Sequence, residues 1–402
     1  MKLFEQRVAQ EARAVTKKEV MAKAIEGKIT WLQAADILGI TPRQIRRIRR
    51  QYQLVGVDAF RDHRGITPRR KRIPLRTIEE LYRLRRGKYS DFSVRHFWEF
   101  ATEKHGLKLS YNWARLVLQA AGLADKAPAR GKYRRKRERR PLIGMLLHLD
   151  GSRHEWIERL PRWDLIVMLD DADGRILYAR FFEEEGTVST LVALRHVLVG
   201  YGRFCELYTD RGSHFCHTPI SGGKALTQDY NAQVPRALRA LGIRQILARS
   251  PEARGRSERA FGTIQGRLPQ EFKLNGIKDY QAANRYLDEV FLPDFNRRFT
   301  VKPIDSGSAF VPLAGVDVDL LLSVQHERTV NKDNTVSFNN LALQLARTDG
   351  RIHYVRCPVL VHELLDATLA VSHLGRVVAR FSPTTGNLLP RRQGDAVHRS
   401  AA

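Results

Sequence analysis

Three acidic residues sit where their neighbours suggest chemistry. Asp150 closes the apolar run PLIGMLLHLD (141–150), and Asp210 follows a short apolar stretch in ELYTDRGSHF (206–215). Glu258 lies in RSPEARGRSERAFGTIQGRL (249–268), where Pro251 and Gly255 precede a helical pattern. Asp210 comes 60 residues after Asp150, and Glu258 comes 48 after Asp210. Two carboxylates from strand ends and one from a helix can converge on one side of a sheet. Carboxylate oxygens, with water and substrate phosphate, are what Mg²⁺ prefers. A basic chain with such a cluster suits two-metal phosphodiester chemistry. Taken singly, each residue also reads as structural: Asp150 as a loop cap, Asp210 as a turn residue, Glu258 as the i,i+4 partner of Arg254. Glu252 competes with Glu258 for the helix role. Asp170 and Asp171 compete with Asp150, although their place before a hairpin favours a turn.

The rest of the chain must position these groups. At 402 residues with 43% hydrophobic content, two to four domains with buried cores are expected. The formal charge of +26 is clustered, which points to a polyanion partner, nucleic acid, rather than to a uniformly basic surface. Cys205, Cys216 and Cys357 form no even framework, in keeping with a reducing cytosol. No secretory leader opens the chain and no run of 18 apolar residues occurs, so a soluble cytoplasmic protein without membrane contact is expected. His214, Cys216 and His217 with Cys205 offer zinc donors, but their spacing matches no standard site. A P-loop is absent, and no G-x-G-x-x-G follows a strand. Ser152 and Ser213 lack a His-Asp arrangement for nucleophilic catalysis.

The spacing predicts two helical units in front. Residues 1–60 carry ITWLQAADILGITPRQIRRIRRQYQ (29–53), with Ala34, Ala35, Ile37 and Leu38 as a small apolar face. Gly39 suits a helix end, Thr41 an N-cap and Pro42 the first helical position. The helix that follows presents Arg43, Gln44, Arg46 and Arg47 around Ile45 and Ile48, which suits the major groove; a solvated basic helix would look similar. A basic linker (61–74) leads to a second helix-turn-helix unit (75–123), with Ser110 as N-cap and Trp113, Leu116 and Val117 as its stripe. Linker 124–141 has nine Lys or Arg against two acids. Its Arg134, Arg135 and Lys136 would grip phosphate electrostatically.

Beyond residue 141 the composition turns apolar. Strands are expected at 141–150, 163–171, 175–183, 203–210 and 243–248, with helices at 187–202 and 230–241. Hairpin turn Asp173-Gly174 joins the second and third strands. This is a mixed α/β core over 142–300. Short strands over 310–385 suit a small β-barrel, and 386–402 reads as a loose tail.

The motifs LHLDGS, YTDRGSHF and the P-x-x-x-G-x-x-E-R spacing of PEARGRSER resemble the DDE transposases of bacterial insertion sequences and retroviral integrases, most nearly the ISNCY type. The resemblance runs over the whole chain: helix-turn-helix front, integrase core, trailing β-domain. It implies a multidomain protein with all-α helix-turn-helix domains, a ribonuclease H-like core and a small C-terminal β-barrel. Asp150, Asp210 and Glu258 would be the three carboxylates, holding two Mg²⁺ ions with Mn²⁺ as substitute. Arg254 and Arg256 join Arg43, Gln44, Arg46, Arg47, Arg134, Arg135 and Lys136 as DNA contacts. The implied activity is cleavage and strand transfer at the element's terminal repeats, by a homo-oligomer on double-stranded DNA at the bacterial nucleoid. A non-catalytic regulator with an inactive core, and a nuclease that cuts without joining, are the alternatives. The 48-residue interval is longer than is usual in the family, with 216–233 as the insertion.

Overall fold

A computed structural model of the chain describes residues 18–56, 73–125, 138–216, 232–248, 255–347 and 351–390. Two compact units divide the chain, residues 1–82 and 83–402.

The first unit holds helices at residues 18–25 (α1), Trp31–Ile37 (α2) and Pro42–Val55 (α3). Thr30 and Thr41 each cap the next helix and receive the reciprocal bond from Gln33 and Gln44. Gly39, at φ 61°, makes the turn between α2 and α3. Ala34 and Ala35 are small enough for α3 to lay Ile45 and Ile48 against them, with Met21 and Ala24 completing the core. The helix-turn-helix expected over 29–53 is therefore formed.

Helix α4 (Leu75–Arg86) spans the division between the units. It is followed by α5 (Val94–Glu103) and α6 (Tyr111–Ala120), N-capped by Ser93 and Ser110. The buried stripe of α6 is Ala114 and Leu118, whereas the expected Leu116 is 57% exposed. Ala114 and Leu118, four residues apart, share one face of α6, and Leu116 falls on another.

The core is a five-stranded sheet in the order β3-β2-β1-β4-β5. Its strands are β1 (Leu146–His154), β2 (Trp163–Asp170), β3 (Ile176–Phe182), β4 (Glu206–Thr209) and β5 (Arg244–Leu247). β1, β2 and β3 pair antiparallel, and β4 and β5 run parallel to β1. Alternation sorts the apolar residues onto two faces. Leu147, Leu149, Ile166, Met168 and Leu207 pack under α7 (Thr187–Tyr201) and α8 (Gln233–Ala240). Leu165, Val167 and Leu169 pack with Phe261, Ile264, Leu268 and Phe272 on the other face. That second layer comprises α9 (Gly255–Gln265), α10 (Leu268–Leu274), α11 (Tyr280–Tyr286), a π-turn at Leu287–Phe291 and α12 (Leu292–Phe299).

Helix α5 docks on this second layer through buried charges. His96 Nε2 lies 2.9 Å from Glu271 Oε1, and Arg267 Nη1 donates to Glu99 Oε2 at 2.7 Å. Arg298 reaches Glu99 from α12 at 3.4 Å. The second helical unit is thus fastened to the core from residue 83 onward.

After α13 (Val318–Leu321), the C-terminal region forms an open sheet in the order β12-β11-β10-β9-β6. Its strands are β6 (Val324–Thr329), β9 (Pro358–Glu363), β10 (Leu369–His373), β11 (Arg376–Phe381) and β12 (Leu388–Leu389). β7 (Thr335–Phe338) and β8 (Leu341–Gln344) pair only with each other. Val336, Phe338 and Leu343 of this hairpin cover Val361, Val371 and Phe381 of the sheet. The expected barrel is therefore not closed among the described residues: the hairpin packs face to face on the sheet and adds no ladder to join its edges. β12 also falls inside the segment expected to be a loose tail. Among the described residues no helix is long and apolar enough to cross a membrane.

Candidate active site

Asp150 does not end its strand. β1 continues to His154 because β2 pairs with it throughout, from Leu147↔Asp170 to His154↔Trp163. The parallel ladder between β1 and β4 does stop short, at His148↔Tyr208. Asp150 lies two residues beyond that pair within β1, and Asp210 lies two residues beyond it, just past the end of the parallel strand β4. Asp150 is buried and Asp210 half-buried. Gly212 N donates to Asp210 Oδ1 at 2.8 Å, which holds the carboxylate against the turn that follows β4. A Cβ at Gly212 would stand 2.8 Å from His214 Cε1 and 3.2 Å from Asp210 Oδ1, so glycine is the residue that fits.

Helix α9 lies on the face of β1 that carries Asp150. Pairing fixes this: His148, Asp150 and Ser152 oppose Leu169, Val167 and Leu165, whose side chains pack under α9. Two contacts anchor the helix. At its start, Arg256 binds the Asp171 carboxylate, which also meets His148 Nε2 at 2.8 Å. At its end, Gln265 Nε2 donates to Ser152 Oγ at 2.8 Å. The anchors fall two residues before and two residues after Asp150. Glu258, exposed in the first turn of α9, shares a stripe with Phe261 and Gln265 at i,i+3,i+7.

The competing acids have structural partners. Burial pushes the Asp171 carboxyl up, but bonds from His148, the Arg140 N–H and Arg256 outweigh it and hold it well below the usual carboxylate range. Asp170 accepts from Gly144 N and Ala172 N, and burial pushes it up to about 6. Arg256, expected at DNA, turns inward to Asp171. Pro251, Glu252, Arg254, Arg134, Arg135, Lys136 and His217 lie outside the described residues.

One group is not legible from the motifs. Glu185, after β3, brings its carboxylate to Gly151: a Cβ there would stand 2.1 Å from Glu185 Oε2. Its backbone N–H donates to Asp164 Oδ2 at 2.9 Å. Burial, then the charges of Asp210 and Asp164, push Glu185 up to about 7. His214 Nε2 lies 3.7 Å from Glu185 Oε1, and burial lowers the His214 pKa against the opposing pull of Asp210. The available sequence signal was Gly151 itself, since a glycine inside a strand marks a close approach.

Among the described residues no three His, Cys, Asp or Glu side chains form a group that would hold a metal ion. This covers the zinc donors Cys205, His214 and Cys216. It covers Asp150, Asp210 and Glu258 as well.

On α3, Gln44 Oε1 accepts from the Thr41 N–H at 2.9 Å, so the cap occupies it. Arg46 Nε donates to Pro42 O at 3.2 Å, and Arg49 lies over the Trp31 ring. Arg43 and Arg47 are exposed on one i,i+4 stripe.

A helix-turn-helix front joined in sequence to a mixed α/β core defines the class of DNA-binding protein. Residues 16–72 match the family model described as a helix-turn-helix domain. The chain is 31% identical over 375 residues to putative transposase y4bF of Sinorhizobium fredii, covering 92% of this chain and 80% of the relative. It is 27% identical over 380 residues to the transposase for insertion sequence IS1202 of Streptococcus pneumoniae, covering 85% and 80%. The chain belongs to this family of transposases, and its function is that of a DNA transposase. Among solved structures, a chain of the simian T-cell lymphotropic virus intasome in complex with PP2A regulatory subunit B56 gamma is 14% identical. The match covers 74% of this chain and 97% of that one, with a TM-score of 0.34. The HTLV-2 integrase catalytic core domain in complex with magnesium is 15% identical over 37% and 89%, with a TM-score of 0.28. Scores this low bear no weight on the site.

Proposed function

We propose that this transposase cuts and joins DNA at a centre made by Asp150, Asp210 and Glu258. The observation that carries the reading is the parallel register of β1 with β4, which ends at His148↔Tyr208, two residues before Asp150 and two before Asp210. The two anchors of α9 on either side of Asp150 support Glu258 as the third member.

Asp150, Asp210 and Glu258 would hold two Mg²⁺ ions, or Mn²⁺ in their place, once substrate and water complete the set. Hard oxygen ligands suit these cations, and one or two protein carboxylates suffice when substrate phosphate and water complete the shell. Held there, such ions would supply charge stabilisation for an in-line displacement at phosphate.

The chain's own residues position and hold. Asp150 is fixed by the β1–β2 ladder, and Asp210 by the Gly212 N–H. Glu258 sits in the first turn of a helix whose start Arg256 ties to Asp171. In the proposed sequence, water attacks the phosphodiester at the element's end and frees a 3′-hydroxyl. That hydroxyl then attacks a target-strand phosphate and displaces the target's own 3′ oxygen. No covalent enzyme intermediate is required.

Helix α3 reads the terminal repeats, with Arg43 and Arg47 best placed for base edges. Arg134, Arg135 and Lys136 in the basic linker, with Arg254, add a salt-sensitive grip on phosphate. Two DNA ends need at least two centres, so the working form is a homo-oligomer on double-stranded DNA in the bacterial cytoplasm.

The test is cleavage of a duplex carrying the element's end. Asp150→Asn, Asp210→Asn and Glu258→Gln should each abolish Mg²⁺-dependent cleavage yet bind the duplex, while Glu252→Gln stays within a few-fold of wild type. Cleavage by Asp210→Asn near the wild-type rate would end the catalytic assignment. Loss in Glu252→Gln alone would move the third carboxylate there. A strand-transfer assay separates this reading from a nuclease that only cuts, and binding with neither reaction would mark a regulator.

A further inference from the structure

We infer that three side-chain amides, those of Asn284, Asn296 and Gln233, stand in for neighbouring strands and close free edges of the two sheets, so that copies of the chain cannot join edge to edge at β3 or β6.

In the core sheet, β3 is an edge strand with no strand beyond it. Two helical asparagines take that place. The Ile176 N–H donates to Asn296 Oδ1 at 2.9 Å, and Asn296 Nδ2 donates to Ile176 O at 2.9 Å. The Phe181 N–H donates to Asn284 Oδ1 at 2.8 Å, and Asn284 Nδ2 returns a bond to Phe181 O at 3.4 Å. Each asparagine therefore exchanges both bonds with one residue, as a residue of an adjoining antiparallel strand does. Asn and Gln are the side chains that offer a carbonyl and an NH₂ on one carbon.

The helical layer is shaped to reach both points. Asn284 lies on α11 and Asn296 on α12, twelve residues later. On a straight α-helix they would be about a third of a turn out of phase. The π-turn at Leu287–Phe291, where the Leu292 N–H donates to Leu287 O, takes up one residue and brings them within about a twentieth of a turn. Pro293 favours the wider turn, because a proline ring clashes with the carbonyl four residues back. The rise between the asparagines is then about 17 Å. The stretch of β3 from Ile176 to Phe181 spans about the same length.

The C-terminal sheet repeats the device. On its edge strand β6, the Gln325 N–H donates to Gln233 Oε1 at 2.9 Å, and Gln325 O accepts from Gln233 Nε2 at 2.9 Å. Gln233 opens α8, so this bond pair also ties the C-terminal sheet to the core. The opposite edge strand, β12, has two residues, which makes it a poor template. An uncovered edge strand invites pairing with another chain. That is a hazard for a protein whose copies gather on one DNA, and it leaves their contacts to other surfaces.

The test uses the full chain without DNA. Hydrogen exchange reads the amides of Ile176, Phe181 and Gln325, and sedimentation velocity reads self-association. Asn296→Leu, Asn284→Leu and Gln233→Met nearly keep the side-chain volume and remove the amide. Each should speed exchange at its own partner roughly 5–10-fold, the order of one lost hydrogen bond, and leave the other two amides as in wild type. Asn296→Asp keeps an acceptor and loses the donor, so Ile176 should exchange near the wild-type rate. Asn284→Leu combined with Asn296→Leu should sediment as larger species than wild type at the same concentration. Unchanged exchange in the three single variants, or Ile176 exchanging as fast in Asn296→Asp as in Asn296→Leu, would show that the amides do not act as strand partners. Wild-type sedimentation of a folded double variant would show that they do not keep copies apart. Should the double variant fail to fold, sedimentation of Asn284→Leu and Asn296→Leu singly decides the same point.

Discussion

Gln265 donates through Nε2 to Ser152 Oγ at 2.8 Å, fastening the far end of α9 to β1 two residues past Asp150. The near end is fastened by Arg256 through Asp171 to His148, two residues before Asp150. Glu258 is therefore carried on a helix that cannot slide along the strand without breaking one of these contacts.

Gln265→Ala and Ser152→Ala should each cost about 1 kcal/mol of stability, the usual value of one such bond. Their effect on end cleavage should be larger, about 10–100-fold, because small misplacements of a catalytic group are expensive. Denaturant unfolding and single-turnover cleavage measure the two effects separately. Full cleavage activity in both variants would show that this bond does not position Glu258.

Glu99 links α5 to the core. It is 4% exposed and bound by Arg267 and Arg298. Burial raises its pKa, but bonds from Arg267 and Arg95 win and hold it below the usual range. Glu99→Ala leaves the buried Arg267 without its carboxylate, while Arg298 keeps Asp294 and Glu103, and should cost about 3–5 kcal/mol. Replacing Glu99 and Arg267 together by leucine and methionine should cost much less, since no unpaired charge is left between them. Equilibrium unfolding of the three proteins decides; a single variant within about 1 kcal/mol of wild type would mean that water screens the network.

His362 is buried between Ser323 and Ser372, with Arg236 and Arg380 nearby. Burial, then Arg236, pushes its pKa down to about 4. The unfolded chain takes up a proton near pH 6.5 that the folded chain refuses until about pH 4, so stability falls as pH drops through this window. Between pH 7 and pH 5 the loss should be about 2 kcal/mol. His362→Gln should flatten the profile by that amount, and unfolding at the two pH values measures it. An unchanged slope would place the acid sensitivity elsewhere.

On α3 the structure divides roles that the sequence left together. Arg43→Ala or Arg47→Ala should cost about 1–3 kcal/mol of discrimination between terminal and scrambled duplexes. Gln44→Ala should instead lose about 0.5–1 kcal/mol of stability through its cap, with a smaller effect on discrimination. Arg134, Arg135 and Lys136 changed together to Ala should weaken both duplexes and flatten the salt dependence. A salt titration with each set checks this; selective loss in the linker set would reverse the assignment.

The sequence by itself determined the order of parts. Helix-turn-helix grammar at Gly39-Ile40-Thr41-Pro42, apolar runs of strand length and the Asp173-Gly174 turn all act over a few residues, and α2, α3, β2 and β3 formed where they pointed. It also singled out Asp150 and Asp210, because an acid interrupting an apolar run is a local signal. Tertiary structure decided what depends on partners far along the chain. β1 runs on past Asp150 because β2 is there to pair with it, and the two aspartates match only through the register of β1 with β4. Leu116 lies outside and Ala114 inside because of what α6 packs against, and β7–β8 covers the C-terminal sheet without closing it. Glu185 stayed hidden among three consecutive glutamates: only the folded sheet brings its carboxylate into the space that Gly151 leaves empty.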